Sequence, residues 1–131
     1  MHTEHQTLLH QILNFAEESG YRSFSIGKFC KFHRHHGNKK KIEKVIKFLC
    51  SQNQLIQLGD GRFISSKKMD EIKARISDHI KSNGGLTIQE SKVILGQGRN
   101  RGIPILDYLD TIGITTRVGN IRVLREDVEG F

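Results

Sequence analysis

Two halves of similar length, each with three apolar stripes at helical spacing and then two short extended runs around a glycine turn, predict a mainly helical α+β fold. Helix, short strand, helix, helix, hairpin is the order of a winged helix, a helix-turn-helix with a β-hairpin wing. Two copies of about 65 residues fit the 131-residue chain. The expected architecture is two tandem winged-helix domains, over residues 1–66 and 67–131. No Pro/Gly-rich spacer separates them near Ser65-Ser66-Lys67, so the second domain's first helix should follow directly.

In the first half, Leu8, Leu9, Ile12, Leu13 and Ala16 recur at helical spacing until Gly20 stops the run. Arg22 to Ser25 reads as extended. Ile26, Phe29 and Cys30 form a short second helix, for which Ser25 is an N-cap. A third helix, from about Asn38, carries Ile42, Val45, Ile46, Leu49 and Cys50 on one face. Leu55–Leu58 and Arg62–Ile64 then flank Gly59-Asp60-Gly61 as a hairpin.

The second half repeats the order. Met69, Ile72, Ile76 and Ile80 make a stripe that Asn83-Gly84-Gly85 ends. Leu86 to Ile88 is extended, and Gln89 to Leu95 is a short helix. Gly96-Gln97-Gly98 opens a third helix bearing Ile105, Leu106, Leu109 and Ile112. Since Pro104 is tolerated only near a helix start, this helix should begin between Gly98 and Asn100. Thr115–Val118 and Ile121–Leu124 flank Gly119-Asn120, a two-residue turn.

Composition narrows the class. An apolar fraction of 36% and a charged fraction of 27% describe a folded chain, and no apolar run approaches the roughly 18 residues a bilayer span needs. With no signal-peptide pattern and no membrane partner, the expected location is cytoplasmic. Cys30 and Cys50 are expected as buried thiols rather than a disulfide framework. Drawn together with His33 and His36 they could be a zinc site, but no Cys-x-x-Cys pair exists, and neither a metal nor a cofactor is expected. No phosphate-binding loop, nucleophile elbow or paired carboxylates appear, so an enzyme is not expected.

The net charge of +7 and a pI near 9.7 match a polyanion. Residues 1–66 hold 10 Lys+Arg against 5 Asp+Glu, and residues 67–131 hold 11 against 9. Yet between Gly96 and Arg125 five arginines face only two acids, Asp107 and Asp110, so the second domain is locally basic. Gly98, Arg99, Asn100 and Arg101 stand where a helix-turn-helix meets nucleic acid, and free N–H groups there favour phosphate. On the wing, the two-residue loop sets Arg117 directly opposite Arg122, next to Asn120. Like charges so placed repel, a cost that an arriving anion would relieve. In the first domain, His33-Arg34-His35-His36-Gly37-Asn38-Lys39-Lys40-Lys41 is the equivalent turn. Arg34, Lys39, Lys40 and Lys41 are candidate secondary phosphate contacts, with no aromatic clearly exposed beside them for stacking. On these residues alone, a winged-helix transcriptional regulator binding duplex DNA is favoured over RNA, and a protein-binding module is the third reading.

From Leu86 to Leu124 the chain resembles the last winged helix of bacterial selenocysteine-specific elongation factors (SelB). The pattern is shared at Glu90, Gly96, Gly98, Arg99, Tyr108, Asp110, Ile112, Gly113, Thr115, Arg117, Gly119 and Asn120. Residues 1–85 match that family mainly in the order and length of elements. The resemblance implies a cytoplasmic, monomeric, RNA-binding piece of a longer GTPase. Its winged helix would grip the selenocysteine insertion hairpin of mRNA, while the ribosome and selenocysteyl-tRNA are met through the parent's other domains. Arg99 falls on the family's helix-start arginine and Arg117 on the second arginine of its wing pair. The chain departs from the family at Asn100, a lysine there; at Thr116, the first wing arginine; and at Ser91-Lys92, a Phe-Arg pair. Arg101 stands where it can replace the lost helix-start charge.

Overall fold

The computed structural model describes residues 3–33 and 39–129. The chain divides into two compact units, Met1–Lys68 and Met69–Phe131. Among the described residues, no helix is long and apolar enough to cross a membrane.

The first unit contains α1 (Thr3–Ser19), α2 (Ile26–His33), α3 (Lys39–Ser51), β1 (Leu55–Gln57) and β2 (Phe63–Ser65). Its core joins Leu8, Ile12, Phe15 and Ala16 of α1 to Phe29 of α2 and to Ile42, Val45, Ile46 and Leu49 of α3. Phe15 is the hub, meeting Phe24 and Phe29 edge-on at 5.2 and 5.5 Å. Such contacts add about 0.5–1.5 kcal/mol each to simple burial. The Lys28 N–H donates to Ser25 Oγ at 3.1 Å, which caps α2 as its sequence suggests. The hairpin pairs Leu55 with Ser65 and Gln57 with Phe63, and Phe24 bridges to Phe63 on its other side. Ser65 Oγ donates to Glu17 Oε2 at 2.6 Å, tying the hairpin to α1. Cys30 and Cys50 are partly buried against this core rather than fully enclosed.

Helix α4 (Ser66–Asn83) starts directly after β2. It supplies the second unit with a stripe of Met69, Ile72, Ile76 and Ile80, each at most 2% exposed. β3 (Leu86–Thr87), α5 (Ile88–Leu95), α6 (Arg99–Thr111), β4 (Thr115–Val118), β5 (Ile121–Leu124) and a short α7 (Arg125–Glu129) follow. The tail after β5, left open by the sequence, thus begins as a helix. Leu86, Leu95, Ile105, Leu106, Leu109 and Leu124 complete this unit's core. The wing is wider than a hairpin. β3 pairs with β5 on the side away from β4, so the strand order is β3-β5-β4 and β5 lies in the middle.

Candidate nucleic-acid interface

The helix-turn-helix of the second unit is punctuated at both ends of its turn. Helix α5 opens on a capping box: Thr87 Oγ1 accepts from the Glu90 N–H at 3.0 Å, and the Thr87 N–H donates to Glu90 Oε1 at 2.8 Å. The threonine and glutamate three apart are a sequence signature of this motif, and it reveals a role for Glu90 beyond its match to the SelB pattern. The backbone bond holds the Glu90 carboxyl below its ordinary pKa, with a weaker assist from His79, whose Nε2 lies 3.4 Å away. The helix ends on Gly96, whose φ of +68° is left-handed and therefore favours glycine.

Gly98 is the N-cap of α6, extended and without a side chain to bond the first-turn amides. Those N–H groups therefore point outward at the helix's positive end. Arg99 and Asn100 are exposed there and Arg101 is half-buried. The helix begins at Arg99, inside the expected window. Pro104 nonetheless sits in its sixth position, where its ring removes the bond that the Asn100 carbonyl would accept.

The wing register is as its sequence dictates: Val118 pairs with Ile121 and Arg117 with Arg122. Gly119, at φ +63°, takes the left-handed first position of the turn. The expected charge repulsion does not follow. Arg122 is 6% exposed. Its Nε donates to Asp110 Oδ2 at 3.1 Å, and its Nη2 donates to Asp107 Oδ1 at 3.0 Å. Asp110 Oδ1 also accepts from Thr115 Oγ1 at 2.6 Å. One α6 carboxylate thus holds both β4 and β5, and the guanidinium expected on the nucleic-acid face is spent inside the unit. The physical reason is the pair of α6 carboxylates that take the guanidinium, with Leu86 of β3 paired directly opposite Arg122 on the other side. Arg117, on the edge strand β4, stays exposed, with its Nε donating to the Gly119 carbonyl at 3.2 Å beside exposed Asn120.

The five arginines of this segment therefore serve different ends of the unit. Arg99 and Arg101 lie at the start of α6. Arg125 runs across Gly113 just beyond the end of α6, its guanidinium 3.6 Å from where a β-carbon would stand. A 13-residue helix separates these two places by roughly 20 Å. Asp107 and Asp110, three apart on one helix face, are the residues that sequence reasoning left unassigned. Their spacing and their being the only acids between Gly96 and Arg125 were the available signal.

In the first unit, Lys39 and Lys40 are exposed and Lys41 half-buried at the start of α3. Arg34, His35, His36, Gly37 and Asn38 lie outside the described residues, and with them one arm of the imagined zinc site.

Fold and site together define a tandem winged-helix chain with a basic helix start and a buttressed wing in its second unit. Residues 78–124 match the family model described as "Elongation factor SelB, winged helix". Among curated proteins, the selenocysteine-specific elongation factor of Desulfomicrobium baculatum is 29% identical over 87 residues. That match covers 66% of this chain but only 14% of the relative's length. Among solved structures, the mRNA-binding domain of E. coli elongation factor SelB, in complex with SECIS RNA, superposes with a TM-score of 0.76 at 23% identity. The likeness covers 95% of this chain and 99% of that one. A bacterial selenocysteine-specific elongation factor, EF-Sec, superposes with a TM-score of 0.71 at 17% identity over 95% of this chain and 19% of that one. At these identities the two structures speak for the fold.

Proposed function

We propose that this chain is an RNA-binding part of a selenocysteine-specific elongation factor, whose second unit grips the selenocysteine insertion hairpin of mRNA. One observation carries the reading: the segment matched to the SelB winged helix contains the basic helix start and the wing together. The solved relative bound to SECIS RNA supports the same choice of ligand.

An A-form stem has a deep, narrow major groove that α6 cannot enter. In this reading, the outward amides after Gly98, with Arg99, Asn100 and Arg101, meet one backbone. Arg117 and Asn120 at the wing meet another, and only loop or extruded bases are read. Arg122 has a positioning role: through Asp110 it sets the wing against the helix. Residues 67–131 suffice for the grip, and Lys39, Lys40, Lys41 and Arg34 add at most peripheral charge to it. The chain's role is binding rather than catalysis, in the cytoplasm and as a monomer. GTP hydrolysis, selenocysteyl-tRNA and the ribosome fall to the parts of the longer relatives outside the matched 14%.

A titration comparing a selenocysteine-type RNA hairpin with a DNA duplex of equal length tests this. The hairpin is expected to bind more tightly. Preference for duplex DNA of any sequence would return the chain to the transcriptional-regulator reading.

A further inference from the structure

Helix α3 of the first unit buries Ile42, Val45, Ile46 and Leu49 to 8% exposure or less, yet leaves Phe48 52% exposed. Phe48 is four residues after Lys44 and seven after Lys41, which puts the three on one helix face. They line a groove of about 350 Å³ with Leu9 and Gln6 of α1 and Val45 beneath. Among the described residues no acid lines it, and α3 as a whole carries Lys39, Lys40, Lys41, Lys44 and Lys47 against the single acid Glu43.

We propose that this groove is a separate contact for single-stranded RNA, in which one base stacks on Phe48 while Lys41 and Lys44 hold the flanking phosphates. Three features select this occupant. An exposed aromatic ring beside cations is the combination that binds unpaired nucleotides, because every base offers a π face and every linkage a charge. The volume lies at the small end of the roughly 300–1,000 Å³ typical of ligand sites, fitting one base better than a packed helix. A stable protein partner would cover about 800 Å² of this unit and would meet a lysine-rich helix rather than an apolar one. The choice of RNA over DNA rests on the reading of the second unit. The groove itself stands on different residues, so the chain would hold a hairpin with one unit and an unpaired stretch with the other.

The test uses the whole chain with the second unit's proposed contacts weakened by Arg99→Gln and Arg117→Gln. The probe is a fluorescein-labelled oligouridylate, which cannot form a hairpin, read by anisotropy at several salt concentrations. This background variant is expected to retain binding. Adding Phe48→Leu, which keeps the groove apolar, should weaken it at least about fivefold with the salt slope unchanged. Adding Lys44→Gln should flatten the slope by about 0.7. Unchanged helicity by circular dichroism separates these losses from misfolding. The inference is overturned if Phe48→Leu binds like its parent. It is equally overturned if the background variant ignores the oligouridylate while the unmodified chain still binds the hairpin. Sedimentation showing a dimer that Phe48→Leu dissolves would instead assign the groove to a second copy of the chain. Binding of oligouridylate through Phe48 by a chain that ignores hairpins would spare this inference and sink the hairpin reading.

Discussion

Arg122 Nε sits 3.1 Å from Asp110 Oδ2, joining the central strand of the second unit's sheet to the helix that starts at Arg99. The same carboxylate takes the Thr115 hydroxyl, so strand, edge strand and helix share one polar knot. Asp107, on the outer side, is 62% exposed in its side chain, whereas that of Arg122 is 7% exposed. The guanidinium is thus almost wholly out of water and depends on two acids that remain partly in it. A wing aimed by such a knot has a fixed direction relative to the helix start, which a grip with two contact surfaces needs.

Removing one partner should be costlier than removing both. Arg122→Leu leaves Asp110 facing an apolar wall, and Asp110→Asn leaves the guanidinium without its nearest charge. Each should lower stability by roughly 2–4 kcal/mol, less than a fully buried pair because Asp107 stays hydrated. The double variant should recover part of that loss in urea unfolding. Additive losses would mean that the two residues do not act on each other.

The order of elements and the wing register were legible because both follow from short-range rules. Helical spacing gave the stripes of α3 and α4, and a two-residue loop leaves a hairpin one register, so Arg117 and Arg122 had to be opposite each other. Burial across that pair was not legible. Leu86-Thr87 reads as extended in the sequence, but nothing local says that it adds to β5 and turns a two-stranded wing into a three-stranded sheet. That pairing makes β5 the middle strand, and the two α6 aspartates that take Arg122 hold it inside while Arg117, on the edge strand, stays outside. Phe48 illustrates the converse: it falls off the buried stripe by spacing alone, but only the fold sets it beside Leu9 of another helix.

The capping box predicts an acid-sensitive α5. The folded state depresses the Glu90 carboxyl below 4.5, so the unfolded chain takes up its proton first as pH falls. The stability Glu90 contributes is therefore complete above about pH 4.5 and lost as pH drops through its folded value. Glu90→Gln, which can still bond the Thr87 N–H, should flatten the stability profile below that pH. Thr87→Val should cost about 1 kcal/mol at neutral pH by removing the cap oxygen. A Glu90→Gln profile that matches the parent's acid limb would show that the carboxylate's charge plays no part.

Burial against the first unit's core raises the Cys50 thiol above its ordinary 9.0, so little thiolate forms at neutral pH. Iodoacetamide at pH 7.5 should label Cys50 more slowly than it labels an unstructured cysteine peptide, with the gap closing on unfolding in urea. Labelling of the native chain at the peptide's rate would place that thiol in open solvent.

Arg99, Arg117 and Arg122 should separate cleanly once hairpin affinity is followed against salt. Each phosphate neutralised by an exposed arginine releases counterions and steepens the fall of log K with log salt by roughly 0.9 in duplex and 0.7 in single strand. Arg117→Gln, at the exposed wing, should therefore flatten the slope by about one contact's worth and weaken all hairpins alike. Arg99→Gln should flatten it similarly and also narrow the difference between cognate and scrambled loops, since it flanks the outward amides after Gly98 where a splayed base can reach. Arg122→Gln should behave differently. Its guanidinium is already neutralised by Asp107 and Asp110, so the slope should stay the same while affinity falls in proportion to the loss of wing order and thermal stability. An Arg122→Gln protein of native stability whose salt slope drops by a full contact would show that Arg122 leaves its two aspartates to meet the RNA. The buried pair would then be a latch on the free protein rather than a buttress for the complex.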